Sequence, residues 1–100
     1  MQRVELRKLA ASSQQYADQQ LTVAAWVRTI RTSKSLGFIE LNDGTCFQNL
    51  QVVFEEGKVN NFNEVGKLNV GASIIVTGTL ILTPEAKQPY EIHASEIVVE

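Results

Sequence analysis

The chain has little of the residues on which disulfide, metal and cofactor chemistry depend. Its 100 residues include one cysteine, one histidine and two prolines. The single Cys46 excludes an internal disulfide, and with His93 it leaves too few ligands for structural zinc. No phosphate-binding or dinucleotide-binding glycine motif is present, and the carboxylates lack the spacing of acid–base pairs. We therefore expect no catalytic residue, metal site or cofactor within these 100 residues.

Long apolar runs are missing as well. Runs such as those near Ile74 to Val76 and Ile97 to Val99 are far too short to cross a bilayer. The first twelve residues carry scattered charges and lack the apolar block of a secretory signal. We expect a cytoplasmic protein with no membrane contact.

The charges are unevenly distributed along the chain. Residues 1–34 carry six cations and two anions, a net charge of +4, whereas residues 35–100 carry three cations and nine anions, a net charge of −6. Such asymmetry allows a local basic strip on an acidic body. It predicts selective contact with phosphates and argues against tight nonspecific binding to nucleic acid.

The hydrophobic periodicity predicts five strands and a short helix. A helix is expected within residues 60–68, behind asparagine caps, and a bulge is expected between Val27 and Ile30. Asn42-Asp43-Gly44 is typical of a hairpin turn, and an irregularity is expected near Ser95. The predicted strands cover residues 21–32, 36–41, 48–54, 73–83 and 90–99.

This order of elements predicts an all-β fold. Three strands, a short helix and two further strands form a five-stranded OB-fold barrel, with the helix between strands three and four. We assign residues 21–100 to this domain and residues 1–20 to a partly helical N-terminal extension. OB folds bind oligonucleotides across strands two and three.

Strand alternation places an aromatic ring and an amide on one outward surface. If Ile39 and Leu41 face the core, Phe38 faces outward on strand two, and Gln51 does so on strand three by the same argument. Phe38 can stack on a base, and Gln51 can both donate to and accept from a base edge. Arg28 then supplies phosphate or base contacts from strand one, and Arg31 joins the same face if strand one bulges.

Each of these residues also has a structural interpretation. Phe38 could join Leu36 in a secondary apolar cluster, Trp26 is better explained by packing than by base stacking, and single arginines usually line a solvated strand edge. Nucleic-acid binding is favoured only because these residues are expected together on one face of an OB fold. Two alternatives remain open, namely a free-standing module for single-stranded nucleic acid and a protein-interaction module.

The sequence itself resembles a known family. WVRTIRTSKSLGFIELNDG and LQVVF are similar to the N-terminal anticodon-binding domain of class IIb aminoacyl-tRNA synthetases. DGTCF, KLNVGASIIVTGTL and TPEAKQPYEIHAS resemble the asparaginyl enzymes more closely than the aspartyl or lysyl ones. The resemblance covers residues 21–99.

The resemblance implies roles for individual residues. Phe38 matches the stacking phenylalanine of strand two, Gln51 the glutamine that recognises the central uridine of the anticodon, and Arg31 the arginine that ends strand one. His93 stands where aspartyl relatives carry an acidic residue that faces the anticodon. The nucleic-acid-binding residues are therefore expected to be Arg28, Arg31, Phe38, Gln51, Lys87, Gln88 and His93, the pair Lys87 and Gln88 supplying auxiliary contacts from the loop before strand five.

The resemblance also implies that the ligase chemistry belongs to a separate C-terminal catalytic domain, which would bind ATP and Mg²⁺. We expect this chain to be the recognition domain of an asparagine–tRNA ligase, without enzymatic activity of its own. Its expected partner is the anticodon loop of tRNA for asparagine. We expect the domain to be a monomer and its parent enzyme a homodimer.

Overall fold

The computed structural model describes residues 3–45, 49–83 and 90–100. Its elements in chain order are helix α1 (Leu6–Ser12), a 3-10 helix (Ser13–Tyr16), β1 (Gln20–Ser33), β2 (Leu36–Asn42), β3 (Leu50–Glu55), helix α2 (Phe62–Gly66), β4 (Ser73–Leu82) and β5 (Tyr90–Val99). The predicted order of strands and the helix between the third and fourth strands are confirmed.

The five strands close into a barrel in the order β1-β2-β3-β5-β4. Every pairing is antiparallel except that of β3 with β5. Alternate residues face inward, so that β2, β3 and β4 each show a strict alternation of buried and half-buried positions through most of their length. This barrel confirms the predicted all-β OB fold.

Phe54 is the largest of the fully buried side chains in the core. Its ring lies 5.2 Å from that of Phe62 in α2, centroid to centroid, and it fills the space beside Gly37, where any Cβ would overlap it. Phe38 is half-buried and does not belong to this core cluster. The two phenylalanines of adjacent strands therefore lie on opposite sides of the barrel wall.

Two bulges bend the barrel wall. The register of β1 against β2 shifts between Val27 and Thr29, which leaves Arg28 as the extra residue and confirms the expected bulge. In β5 the register against β4 shifts opposite Thr77 and Gly78, and Ser95 is the extra residue. Gly78 is required there, because a Cβ would overlap the backbone of His93 and Ala94.

Helix α2 begins differently from the prediction. Asn61 occupies the position before the helix, but its side chain makes no capping hydrogen bond. The amide Nδ2 instead donates to the carbonyl oxygen of Ile97 at 2.9 Å. The asparagine therefore ties α2 to β5, and the expected cap is wrong because this long-range acceptor takes the side chain.

Helix α1 is held at its N-terminus by the turn between β2 and β3. Leu6 and Leu9 are buried in the core, whereas Ala10 is exposed. The first helical amide, that of Leu6, donates to Asp43 Oδ2 at 2.9 Å. Asp43 Oδ1 accepts from both the backbone amide and the hydroxyl of Thr45, at 2.9 and 2.5 Å. Asp43 thus acts as an N-cap supplied from a distant part of the chain.

The Asp43 cap makes stability depend on pH. Partial burial raises the pKa of the Asp43 carboxyl, but the hydrogen bonds from Thr45 and Leu6 outweigh it and hold the pKa below its ordinary value. A carboxylate with a lowered pKa stabilises the fold above the ordinary pKa of about 3.9 and stops doing so as pH falls through the lowered value. We expect Asp43→Ala to reduce the free energy of unfolding by about 1–2 kcal/mol at pH 7.

Urea denaturation of the wild type and Asp43→Ala at several pH values measures this effect. The difference between the two proteins should shrink as the pH falls below about 3.9. A difference that stays constant down to the lowest pH at which both proteins fold would contradict the capping role of the ionised carboxylate.

No helix within the described parts of the chain is long and apolar enough to cross a membrane.

Candidate nucleic-acid interface

One row of outward side chains crosses four strands. Arg31 of β1 lies opposite Phe38 of β2, Phe38 opposite Val53 of β3, and Val53 beside His93 of β5. We call these four residues the Phe38 row. The Arg31 guanidinium carbon lies 5.5 Å from the centre of the Phe38 ring, within the range of a cation–π contact. The row therefore presents a half-buried ring with a cation on one side and, beyond Val53, an imidazole on the other.

The bulge in β1 is what brings Arg31 into this row. Strict alternation from the inward Val27 would direct residue 31 into the barrel, but the extra residue Arg28 reverses the parity. Both arginines are exposed and have no ion-pair partner among the described residues. The two cations lie on the same strand and outside the barrel, as expected from a bulge at this position.

A second row lies beside the first and is rich in acceptors. Thr29, Glu40, Gln51 and Glu91 are opposed across the same four strands, and we call them the Gln51 row. Gln51 Nε2 donates to Glu91 Oε1 at 3.3 Å. The second oxygen of Glu91 lies 2.6 Å from His93 Nε2, which links the two rows.

These contacts orient the Gln51 amide. Because its amino group donates to Glu91, its carbonyl oxygen is left as an acceptor, and nothing among the described residues donates to it. An acceptor in that position suits the N–H of a base edge, such as N3–H of uracil. The neighbouring carboxylates Glu40 and Glu91 likewise favour N–H groups and repel phosphate.

Charge therefore divides the surface into two zones. Cations lie along the second half of β1 and in the hairpin turn after it, whereas carboxylates lie on β2 and β5. This division suits a single strand whose phosphates follow β1 and whose bases point toward the Gln51 row. The cations of the first zone are Arg28, Arg31 and Lys34, all exposed.

The structure brings together five of the seven residues expected from the sequence. Arg28, Arg31, Phe38, Gln51 and His93 lie on this one outer surface. Lys87 and Gln88 lie outside the described residues, as does Cys46. Among the described residues no cluster of three or more His, Cys, Asp or Glu side chains could hold a metal ion.

Glu91 is not among the site residues expected from the sequence. Tyr90 and Ile92 are buried, so alternation alone places Glu91 on the outer face with His93. What the sequence does not provide is the parallel pairing of β3 with β5, which sets Glu91 directly beside Gln51.

Comparison with known proteins identifies the family. Residues 21–100 match the tRNA anticodon-binding family model, described as an OB-fold nucleic acid binding domain. The chain belongs to this family. The match covers all five strands except the first residue of β1, Gln20.

The similar full-length proteins are asparagine–tRNA ligases. The enzyme of Acetivibrio thermocellus is 50% identical over 95 residues, and that of Alkaliphilus oremlandii is 49% identical over 100 residues. The chain spans 20% and 21% of the length of these two relatives. It therefore corresponds to the anticodon-binding domain of such ligases.

The solved structures support the fold. The asparaginyl-tRNA synthetase of Pyrococcus horikoshii, complexed with asparaginyl-adenylate, superposes on 99% of this chain with a TM-score of 0.84 at 22% identity. This chain covers 22% of that one. At this level of identity the likeness establishes the shared OB fold.

Proposed function

We propose that this anticodon-binding domain recognises the anticodon loop of tRNA for asparagine. The observation that carries the proposal is the placement of the Phe38 ring one row away from the Gln51 amide, with Arg31 against the ring. A base unstacked from the loop can lie on Phe38 while its neighbour on the strand presents its edge to Gln51. The 50% identity to an asparagine–tRNA ligase supports the choice of tRNA.

We propose further that the protein to which this domain belongs is an asparagine–tRNA ligase of the cytoplasm. Its aminoacylation would use ATP and Mg²⁺ in a catalytic domain outside these 100 residues. That catalytic domain would also form the homodimer, so that the domain by itself would be monomeric. Within the proposal, the domain contributes recognition and no bond-forming step.

Gln51 gives the sharpest test of the proposal within this surface. The amide oxygen accepts from uracil N3–H, whereas cytosine presents an acceptor at N3. We expect Gln51→Ala to reduce the preference for uridine over cytidine at the central anticodon position more than it reduces overall affinity. The measurement is the dissociation constant of stem-loops that differ only at that nucleotide.

Gln14→Ala is the matched control for this substitution, since Gln14 is an exposed glutamine in the 3-10 helix and not on either row. The control should leave both the affinity and the preference unchanged. A Gln51→Ala protein with wild-type preference at the central base would contradict the role given to Gln51.

A further inference from the structure

The single tryptophan lies on the same outer surface as Phe38. Trp26 of β1 is directly opposite Asn42 of β2, and Asn42 shares the outward side of β2 with Phe38. Directly opposed residues of an antiparallel pair project to the same side. Asn42 lies four positions after Phe38 in β2, a distance of about 13 Å at the usual rise per residue.

Trp26 is open to solvent for a side chain of its size. It is 40% exposed, although the strand residues on either side of it, Ala25 and Val27, are buried. One edge of its ring is supported by the turn between β2 and β3, since a Cβ built on Gly44 would lie 3.2 Å from ring carbon Cη2. Gly44 has a φ of +82°, a conformation that itself favours glycine. The turn supports the ring without covering it.

An exposed cation lies two residues further along β1. Arg28, the extra residue of the bulge, has no ion-pair partner among the described residues. Trp26 and Arg28 therefore place a ring and a guanidinium two residues apart on β1, away from the cross-strand pair formed by Phe38 and Arg31. A ring with a nearby free cation suits a nucleobase and its adjacent phosphate.

We propose that Trp26 is a second stacking position, which takes another base of the same RNA loop while Arg28 contacts the adjoining phosphate. The inference rests on the proposed function, because it requires that RNA occupies the Phe38 row. OB folds hold about 4–16 nucleotides of single strand. Two stacking positions separated by about 13 Å along the strand direction fall within the reach of one bound segment.

Tryptophan fluorescence tests the inference directly, since the chain contains no other tryptophan. Titration with a GUU anticodon stem-loop should quench Trp26 emission, with the same dissociation constant as that measured from the anisotropy of a labelled RNA. A series of stem-loops with single abasic nucleotides should then locate the stacked base. One loop position other than the central anticodon nucleotide is expected to abolish the quenching.

Two substitutions separate stacking from packing. Trp26→Leu should weaken RNA binding by at least about fivefold, whereas Trp26→Phe, which keeps an aromatic face, should retain most of the affinity. Thermal unfolding of both variants controls for loss of the contact with Gly44. If Trp26→Leu does not fold, the fluorescence quenching and the abasic series on the wild-type protein test by themselves whether a base stacks on Trp26.

The possible outcomes distinguish this inference from the proposed function. Anisotropy that reports saturable GUU binding without any change in Trp26 emission contradicts the second stacking position and leaves the proposed function intact. Quenching that persists with every single abasic stem-loop also contradicts it, because no base would then be stacked on the ring. If anisotropy detects no binding of the GUU stem-loop, both proposals fail together.

Discussion

Phe38→Ala is expected to weaken binding of a GUU anticodon stem-loop by about 1–3 kcal/mol, or about 5- to 150-fold in Kd, while the protein remains folded. Phe38 is half-buried, lies on the outer side of β2 and does not belong to the barrel core. Its removal therefore takes away a stacking surface and the cation–π partner of Arg31, but no core packing. Isothermal titration at fixed salt measures the loss of affinity, and circular dichroism checks the fold.

Fixed salt is essential to this comparison, because phosphate contacts change with ionic strength whereas stacking changes much less. The slope of affinity against salt should be the same in Phe38→Ala and the wild type, since no cation is removed. Unchanged affinity for the stem-loop would exclude Phe38 as a stacking residue. Unfolding of the variant would instead assign Phe38 to the core.

Phe54→Ala, in contrast to Phe38→Ala, is expected to act on stability, with a loss of about 3–5 kcal/mol in the free energy of unfolding. The Phe54 side chain is fully buried, packs against Phe62 and fills the space beside Gly37. Truncation leaves a cavity in the close-packed core. The surrounding strands cannot move inward to fill it, because each strand of the closed barrel is hydrogen-bonded on both sides. A domain of this size is stable by about 5–15 kcal/mol, so the substitution should remove a large fraction of the total stability.

The two substitutions are matched controls for each other. Both replace phenylalanine by alanine in adjacent strands, and register places Phe54 opposite Gly37, next to Phe38 in sequence. Urea denaturation should show a large shift of the midpoint for Phe54→Ala and a small one for Phe38→Ala. Equal shifts for the two proteins would contradict the assignment of opposite faces.

Much of the fold follows from local patterns in the sequence. Alternation of apolar residues is sufficient to place Ile39 and Leu41 inside and Phe38 outside, because a strand with one face on the core has a period of two. The bulge in β1 is indicated by a strand too long to continue without an irregularity. The helix cap supplied by Asp43 cannot be predicted in this way, since nothing near Asp43 in the sequence indicates that its carboxylate accepts a hydrogen bond from Leu6.

The candidate site is predictable to the extent that it depends on single strands. Phe38 and Gln51 can be placed on outer faces by alternation within their own strands, and the hairpin between β2 and β3 then brings them close. The partnership of Gln51 with Glu91 depends on a parallel pairing between strands distant in sequence. Alternation shows only that Glu91 faces outward. For Trp26 the sequence favours packing over base stacking, whereas the structure leaves its side chain 40% exposed beside the turn between β2 and β3.

The most direct test of the anticodon-binding account is the affinity of this domain for three stem-loops that differ only in their triplet. GUU and GUC differ in the last anticodon base, and an unrelated triplet changes all three positions. We expect GUU to bind most tightly and the unrelated triplet most weakly, at the same salt concentration. Equal affinity for all three stem-loops would contradict anticodon recognition and would indicate a single-strand module without sequence preference. Absence of binding to any of them would favour a protein-interaction domain.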